Sequence, residues 1–322
     1  MNGPGCVAIT GLRTHLGQRL AERLLALPNG PKVVGLDLRR PLRLSEGLNF
    51  HRVDLTEPTA GGHLAEIFAA ERVEAVVHLA FRREPTPDID EDHELEAIGS
   101  LHLINAVIAA SVPRLVVAST TMVYGPYSNN PNFLSEKHPL RGHPAAHCVM
   151  NRIEVERMLA ELPERAPDVQ VSVLRGCWVV GPTLGDQVAR FFDRQTIPTV
   201  LGHDPLIQLL HEDDWLRAFE VATLEGRPGV YNVVGSGVLP LSTMIALAGK
   251  RALPLPAPIL RRIAAVPSRS QSGDPPEGFL DYLRYLWVAE GERGFAAFGD
   301  PVYSTREAWT SFVTARRMRR YR

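Results

Sequence analysis

The sequence predicts an α/β protein built on a doubly wound parallel sheet with a smaller lobe after it, and three observations carry that expectation. Short apolar runs alternate with stretches of helical periodicity through the first half of the chain. The first run, Cys6–Ile9, enters a helix through a glycine turn, Thr10-Gly-Leu-Arg-Thr-His-Leu-Gly17. The texture then changes near Gly176, beyond which lie 16 of the 22 aromatic residues. The sheet is therefore expected in 1–175 and most of a substrate-binding lobe in 176–322, with segments near 208–234 returning to the sheet.

Cys6–Ile9 reads as a buried strand, and Leu16, Leu20, Leu24 and Leu27 give the next helix its apolar face. Gly11 suits the sharp turn and Gly17 the close packing of helix on strand. Thr14 stands where a third glycine would let backbone approach a phosphate. The first N–H groups of a helix carry partial positive charge. Gly11, Arg13, Thr14, His15, Leu16 and Gly17 are thus expected to cradle a pyrophosphate, with Thr14 adding a hydroxyl donor. The next strand, Lys32–Asp37, ends 20 residues past Gly17 in a carboxylate placed to meet an adenosine ribose.

The rhythm continues. Leu48–Leu55 reads as a strand ending in Asp54-Leu55, Gly61–Ala70 as a helix, and Val73–Ala80 as a strand apolar enough to be covered on both faces. Phe81–Asp90, with Pro85 and Pro87, reads as a loop, and Asp92–Ala110 as a helix. Arg114–Ser119 is a strand, followed by a polar stretch to about Pro144, a helix over Cys148–Leu162 and a strand over Val169–Leu174. Right-handed crossovers make this a Rossmann-type sheet, with ligands beyond the carboxyl ends of its strands. That singles out Gly11–Gly17, Asp37–Arg40, Asp54-Leu55, His78–Arg83 and Ser119–Gly125. In the lobe, Trp178, Phe191, Phe192, Trp215, Tyr282, Tyr285 and Trp287 suit core packing and an apolar ligand.

A formal net charge of −1 gives no electrostatic footprint for nucleic acid or an anionic membrane, so neither is expected as a partner. The basic end, Ala315-Arg-Arg-Met-Arg-Arg-Tyr-Arg322, reads as a solvated terminus. Cys6, Cys148 and Cys177 are odd in number and lack metal spacing, which points to reduced thiols, a cytoplasmic protein and no metal. Met1-Asn-Gly-Pro-Gly has neither a basic nor an apolar region of a signal peptide, and no run is long enough to span a membrane.

These residues resemble the extended or atypical short-chain dehydrogenases/reductases, the family of nucleotide-sugar epimerases and dehydratases. Thr10-Gly11…Gly17 is similar to the family's glycine turn and Asp54-Leu55 to its adenine-pocket pair. His78-Leu79-Ala80 resembles the strand exit beneath the cofactor, so Leu79, Ala80 and Phe81 are expected at it. Ser119-Thr-Thr-Met-Val-Tyr-Gly125, Leu174-Arg175…Gly181-Pro182, Leu210-His-Glu-Asp-Asp214 and Gly229-Val-Tyr-Asn232 match later landmarks. The resemblance implies a tyrosine proton donor with a lysine four residues later. In the register set by Glu156 and Leu159 those positions hold Cys148 and Arg152; a one-residue slip gives His147 and Asn151. The family's helix asparagine is replaced by Glu96, and the hydroxyl position survives as Thr120, next to Ser119.

Arg152 stays charged and cannot shuttle a proton, but it can donate hydrogen bonds to a ribose. A guanidinium beside Cys148 would favour thiolate. His147 has the ordinary pKa nearest neutrality. Asp37 alone favours NAD(H), because a carboxylate repels a 2′-phosphate. Arg39-Arg40 and Arg13 converge on the same edge and decide for NADP(H). The expected function is an NADPH-dependent ketoreductase of a small aromatic, polyketide-like substrate, resembling the angucyclinone ketoreductases of antibiotic biosynthesis, and monomeric or homodimeric. Ser119, Thr120, His147 and Cys148 are its candidate catalytic residues; Tyr124, Trp178 and Phe81 would meet substrate. The alternatives are a catalytically silent NADP-binding sensor and, third, a nucleotide-sugar epimerase or dehydratase.

Overall fold

A computed structural model describes residues 3–42, 45–82, 88–185, 187–264 and 277–319. The first strands are β1 (Cys6–Thr10), β2 (Lys32–Asp37), β3 (Leu48–Arg52), β4 (Ala75–His78), β5 (Arg114–Thr120) and β6 (Gln170–Gly176). The later ones are β7 (Trp178–Val180), β8 (Thr196–Val200), β9 (Leu206–Ile207), β10 (Leu209–His211), β11 (Gly229–Val233), β12 (Leu239–Pro240) and β13 (Arg251–Leu255). Seven of them form one parallel sheet in the order β11-β6-β5-β4-β1-β2-β3. The order reverses beside β1, where Thr10 pairs with Leu36 on one side and His78 on the other. That switch point is where a doubly wound sheet opens a crevice.

Every residue of β1 and β4 is buried, as strands covered on both faces require. The covering helices are α1 (His15–Leu25), α2 (Ala60–Glu71), α3 (Ile89–His93), α4 (Gly99–Ala109) and α5 (His147–Ala160). Helix α1 buries Gly17, Leu20, Ala21 and Leu24, one stripe at 3.6-residue spacing. Between α3 and α4, Glu94–Ile98 is π-helical, a widened turn that carries Glu96. The strand expected over Leu48–Leu55 stops at Arg52, where the backbone turns and Asp54 caps Thr56. Of the loop expected at Phe81–Asp90, residues 83–87 lie outside the described ones, Arg83 among them.

The remaining helices are α6 (Leu162–Arg165), α7 (Gln187–Asp193), α8 (Glu212–Val221), α9 (Leu241–Leu247), α10 (Ala257–Ala264), α11 (Glu277–Leu280), α12 (Glu292–Phe298) and α13 (Thr305–Arg319). With the short pairs β7–β10, β9–β12 and β8–β13 they build a second core around Phe191, Phe192, Trp309 and Phe312. The basic end is not simply solvated: Ala315–Arg319 is the last turn of α13, where Arg316 pairs with Asp193 and Arg317 donates to the Leu247 carbonyl. Residues 320–322 of that stretch lie outside the described ones. No described helix is long and apolar enough to cross a membrane.

Candidate cofactor and active site

The glycine turn is built by close contact. Gly11 has φ +67, and a Cβ there would lie 2.6 Å from the Leu79 carbonyl oxygen and 2.7 Å from the Ala80 nitrogen. A Cβ at Gly17 would lie 2.4 Å from the Gly11 oxygen, so helix and strand meet there without a side chain. Thr14 behaves differently from expectation. Its hydroxyl donates to the Gly11 carbonyl at 2.7 Å and accepts the Gly17 N–H at 3.0 Å, capping α1. With its proton committed inside the turn, the Thr14 hydroxyl caps α1 and is not the free side-chain donor expected for a phosphate.

The glycine turn is tied to the end of β2 at Asp37. Its carboxylate accepts the Arg13 N–H at 2.8 Å and the Arg39 N–H at 3.5 Å. The Arg13, Arg39 and Arg40 side chains are all exposed around it. Asp54 is half-buried and Leu55 buried at the end of the neighbouring strand.

Below the turn, the Leu79 N–H and the Thr10 hydroxyl meet at 3.2 Å, Thr10 Oγ1 and His78 Nδ1 at 2.7 Å, and His78 Nε2 and Ser100 at 2.9 Å. Ser100 in turn donates to the Glu96 carbonyl. This chain fixes the Nε2–H tautomer. Burial, reinforced by the Arg152 charge, lowers the His78 pKa to about 3, so the ring is neutral.

A cavity of about 240 Å³ opens at the carboxyl ends of β1, β4, β5 and β6. Thr14, His15, Leu16, Leu79, Phe81, Ser119, Thr120, Cys148, Arg152 and Trp178 line it, which brings together ten residues named from the sequence. Arg152 is the centre of its polar floor. The guanidinium carbon sits 3.7 Å above the Phe81 ring, Nη1 donates to the Ala118 carbonyl at 3.2 Å, and Nη2 is 3.9 Å from Glu96. Its Nε is buried without a partner among the described residues. The fully buried Glu96 also accepts the Arg82 N–H at 2.8 Å and Asn151 at 3.1 Å.

Several expectations are corrected by where side chains point. Ser119 is buried and its hydroxyl donates to Glu156, which is held in turn by Arg175. Tyr124 is fully buried outside the cavity lining; its hydroxyl donates to Asn232 at 2.6 Å and accepts from Arg175 at 2.8 Å. It props the sheet exit instead of meeting a ligand. His147, the first residue of α5, is exposed and does not line the cavity. Cys148 does line it, but burial and the Glu96 charge push its thiol up to about 12 against the pull of Arg152, so the thiolate is not favoured. Thr120 is left. Its hydroxyl accepts the Met122 N–H at 3.2 Å and donates to no acceptor among the described residues.

Sequence reading offered Phe191, Phe192 and Trp215 for core packing or an apolar ligand, but missed the rest of the far wall and the clasp. The wall is apolar: Leu184, Phe191, Phe192, Trp215, Phe279 and Leu283. The clasp joins the turn to the lobe, with His15 Nε2 3.1 Å from Glu212 and 2.6 Å from the Thr183 hydroxyl. Burial alone would raise the Glu212 pKa, yet hydrogen bonds from His15 and Thr183 and the Arg19 charge hold it at about 2. The stretch around Glu212 was visible as a landmark, but no periodicity told which way its carboxylate faced. Among the described residues no group of three His, Cys, Asp or Glu side chains is arranged to hold a metal.

The family described as "NAD dependent epimerase/dehydratase family" matches residues 7–233. An uncharacterized protein of Mycobacterium tuberculosis (strain ATCC 25618 / H37Rv) is 28% identical over 321 residues, 97% of this chain and 84% of that one. UDP-glucose 4-epimerase of Thermus thermophilus, solved in complex with NAD, superimposes with a TM-score of 0.73 at 23% identity, covering 97% of this chain and 99% of that one. MoeE5 in complex with UDP-glucuronic acid and NAD gives a TM-score of 0.75 at 21% identity, covering 98% of this chain and all (100%) of the other.

Proposed function

The chain belongs to the NAD dependent epimerase/dehydratase family, and from that premise we propose that it is an NADPH-dependent ketoreductase acting on an aromatic, polyketide-like ketone, as in antibiotic biosynthesis. The observation that carries this reading is the cavity's division into a polar floor, where Thr120 keeps an available hydroxyl beside the Arg152 guanidinium, and a wall of aromatic and aliphatic side chains. We assign residues 1–175 to the dinucleotide unit and most of 176–322 to the substrate lobe, in a cytoplasmic monomer or homodimer.

The residues fit a nicotinamide dinucleotide. Gly11 and Gly17 let the turn close on the Leu79–Ala80 backbone and the helix on the strand, which sets the start of α1 at the cavity, and the Arg152 Nε awaits an acceptor such as a ribose hydroxyl. Asp37 would meet the adenosine ribose, with Arg13, Arg39 and Arg40 pairing a 2′-phosphate. The reduced cofactor, when bound, supplies a hydride. Thr120 Oγ1–H donates to the ketone oxygen and holds the charge that develops there. Phe81, Trp178 and the apolar wall orient the ring and exclude water. Burial pushes the Cys148 thiol up to about 12, so it is no thiolate base, and the proton that completes the reduction is not assigned to it. That proton comes from water or from a hydroxyl of the substrate beside the carbonyl.

The solved relatives bound to UDP-sugars favour a second reading, a nucleotide-sugar epimerase or dehydratase. That chemistry cycles a proton through a base. Neither Cys148 nor Arg152 suits that role, so the reading ranks lower. A silent NADP-binding sensor would keep the cradle and have no turnover at all. The test is NADPH oxidation, followed by absorbance, against aromatic ketones, quinones and UDP-sugars. Turnover of the aromatic set is expected; turnover of UDP-sugars alone would overturn the reading, and tight NADPH binding without turnover would favour the sensor.

A further inference from the structure

Two segments of the lobe hang from one residue of the glycine turn. His15 is the first residue of α1, and its Nε2 lies 2.6 Å from the Thr183 hydroxyl and 3.1 Å from Glu212. Thr183 gives Glu212 its N–H at 3.0 Å and its hydroxyl proton as well, so the hydroxyl accepts from His15. Arg19, one turn further along α1, closes the group, with Nη1 3.3 Å from Glu212 and Nη2 2.7 Å from Asp213. The Glu212 side chain reaches these partners past Gly181, where a Cβ would lie 2.4 Å from Glu212 Cδ.

Both lobe segments carry the wall of the main cavity. Leu184 follows Thr183 in the chain, and Trp215 and Leu216 stand one turn after Glu212 on its face of α8. The other end of the group is the start of α1. There the Thr14 hydroxyl takes the Gly17 N–H and the Thr14 carbonyl takes the Gln18 N–H. The His15 and Leu16 N–H groups are left without an acceptor among the described residues. Ion pairs that only fasten α1 to α8 have no need of this place, and Arg23 and Glu220, 2.8 Å apart, form one well away from the wall.

We propose that His15 is a positioning residue, which sets Leu184 and Trp215 of the substrate wall according to whether a dinucleotide is bound. A phosphate on the His15 and Leu16 amides fixes the first turn of α1. Thr183 and Glu212, hydrogen-bonded to the side chain of that turn, are then held with it, because ordering one element stabilises what is fastened to it. The proposal rests on the assignment of the cradle and the wall made above.

The test measures amide hydrogen exchange in the protein, free and saturated with NADP+ or with NAD+. In wild type the amides of Leu184, Trp215 and Leu216 should exchange about fivefold or more slowly with a dinucleotide bound. That protection should vanish in Thr183→Val and His15→Leu, while dinucleotide affinity falls no more than about threefold because the turn keeps its amides. His15→Gln, which retains a donor near the Nε2 position, should restore it. A merely structural clasp gives the opposite pattern, with faster exchange in the free variants and undiminished protection on loading. That pattern, or no protection in wild type by either dinucleotide, overturns the proposal. The expected pattern in a protein that turns over no aromatic ketone supports the clasp and overturns the ketone reading, so the two fail separately.

Discussion

The Glu96 carboxylate, on the π-helical turn Glu94–Ile98, lies 3.9 Å from the Arg152 guanidinium on α5. Glu96 is fully buried, and burial raises its pKa first of all, with Arg152, Asn151 and the Arg82 N–H pulling it back. Burial likewise lowers the Arg152 pKa, and Glu96 opposes that. Each charge makes the other tolerable, so the two residues act as a pair. Glu96→Gln should destabilise the fold by about 2 kcal/mol, because it leaves a desolvated guanidinium without its counter-charge. Denaturant unfolding of Glu96→Gln, Arg152→Gln and the double variant checks this. Additive losses would mean the pair is not coupled.

Thr120 and Cys148 face the same cavity with opposite prospects. Thr120→Ala should lower kcat about 10²-fold, the loss typical of one donor to a developing oxyanion. Cys148→Ala should leave kcat nearly unchanged, since the proton comes from water or the substrate and the buried neutral thiol supplies no base. Alkylation of Cys148 by iodoacetamide at about pH 8 should correspondingly be far slower than that of a free cysteine.

Cofactor choice rests on exposed guanidinium groups around Asp37. Arg40→Ala or Arg13→Ala should weaken NADPH about tenfold and leave NADH unaffected, as loss of one charge-assisted contact predicts. Equal NADPH affinity in wild type and both variants, measured by fluorescence titration, would remove these residues from the argument.

Gly11→Ala should destabilise by about 2 kcal/mol or more, since it forces a positive φ and a Cβ into the Leu79–Ala80 backbone. NADPH binding should fall with it. Retained binding and an unchanged melting temperature would show that the turn relaxes more easily than its contacts suggest.

Acid should weaken the fold in two stages. The folded His78 pKa of about 3 lies below its ordinary 6.5, so the unfolded chain binds the extra proton and stability falls as pH drops below 6.5. At pH 5 that loss is about 2 kcal/mol. Glu212, held at about 2, adds a second loss as pH falls from 4.5 toward 2. Melting temperature against pH should show the first slope in wild type and a shallower one in His78→Gln. An identical slope in that variant would assign the proton elsewhere.

The doubly wound sheet, the glycine turn and the Asp37 edge were legible because their constraints are local. Burial on both faces of Val73–His78 shows in its composition, and the Gly11 and Gly17 geometry is a backbone requirement within one turn. Site side chains were less legible. Ser119 meets Glu156 37 residues away, and Tyr124 meets Asn232 108 residues away. Both hydroxyls look available along the chain and are taken in the fold. Thr14 was misread at short range, because helix capping and phosphate binding both call for a hydroxyl at the same place.

By itself, then, the sequence determined the alternation of strands and helices, the glycine turn and the absence of a tyrosine on α5. Tertiary structure decided which polar groups keep a free proton or an unpartnered N–H, leaving Thr120 and Arg152. It also decided that burial outweighs the guanidinium at Cys148. Desolvation and hydrogen-bond partnering depend on what the rest of the chain brings into contact, and no spacing within one segment encodes that.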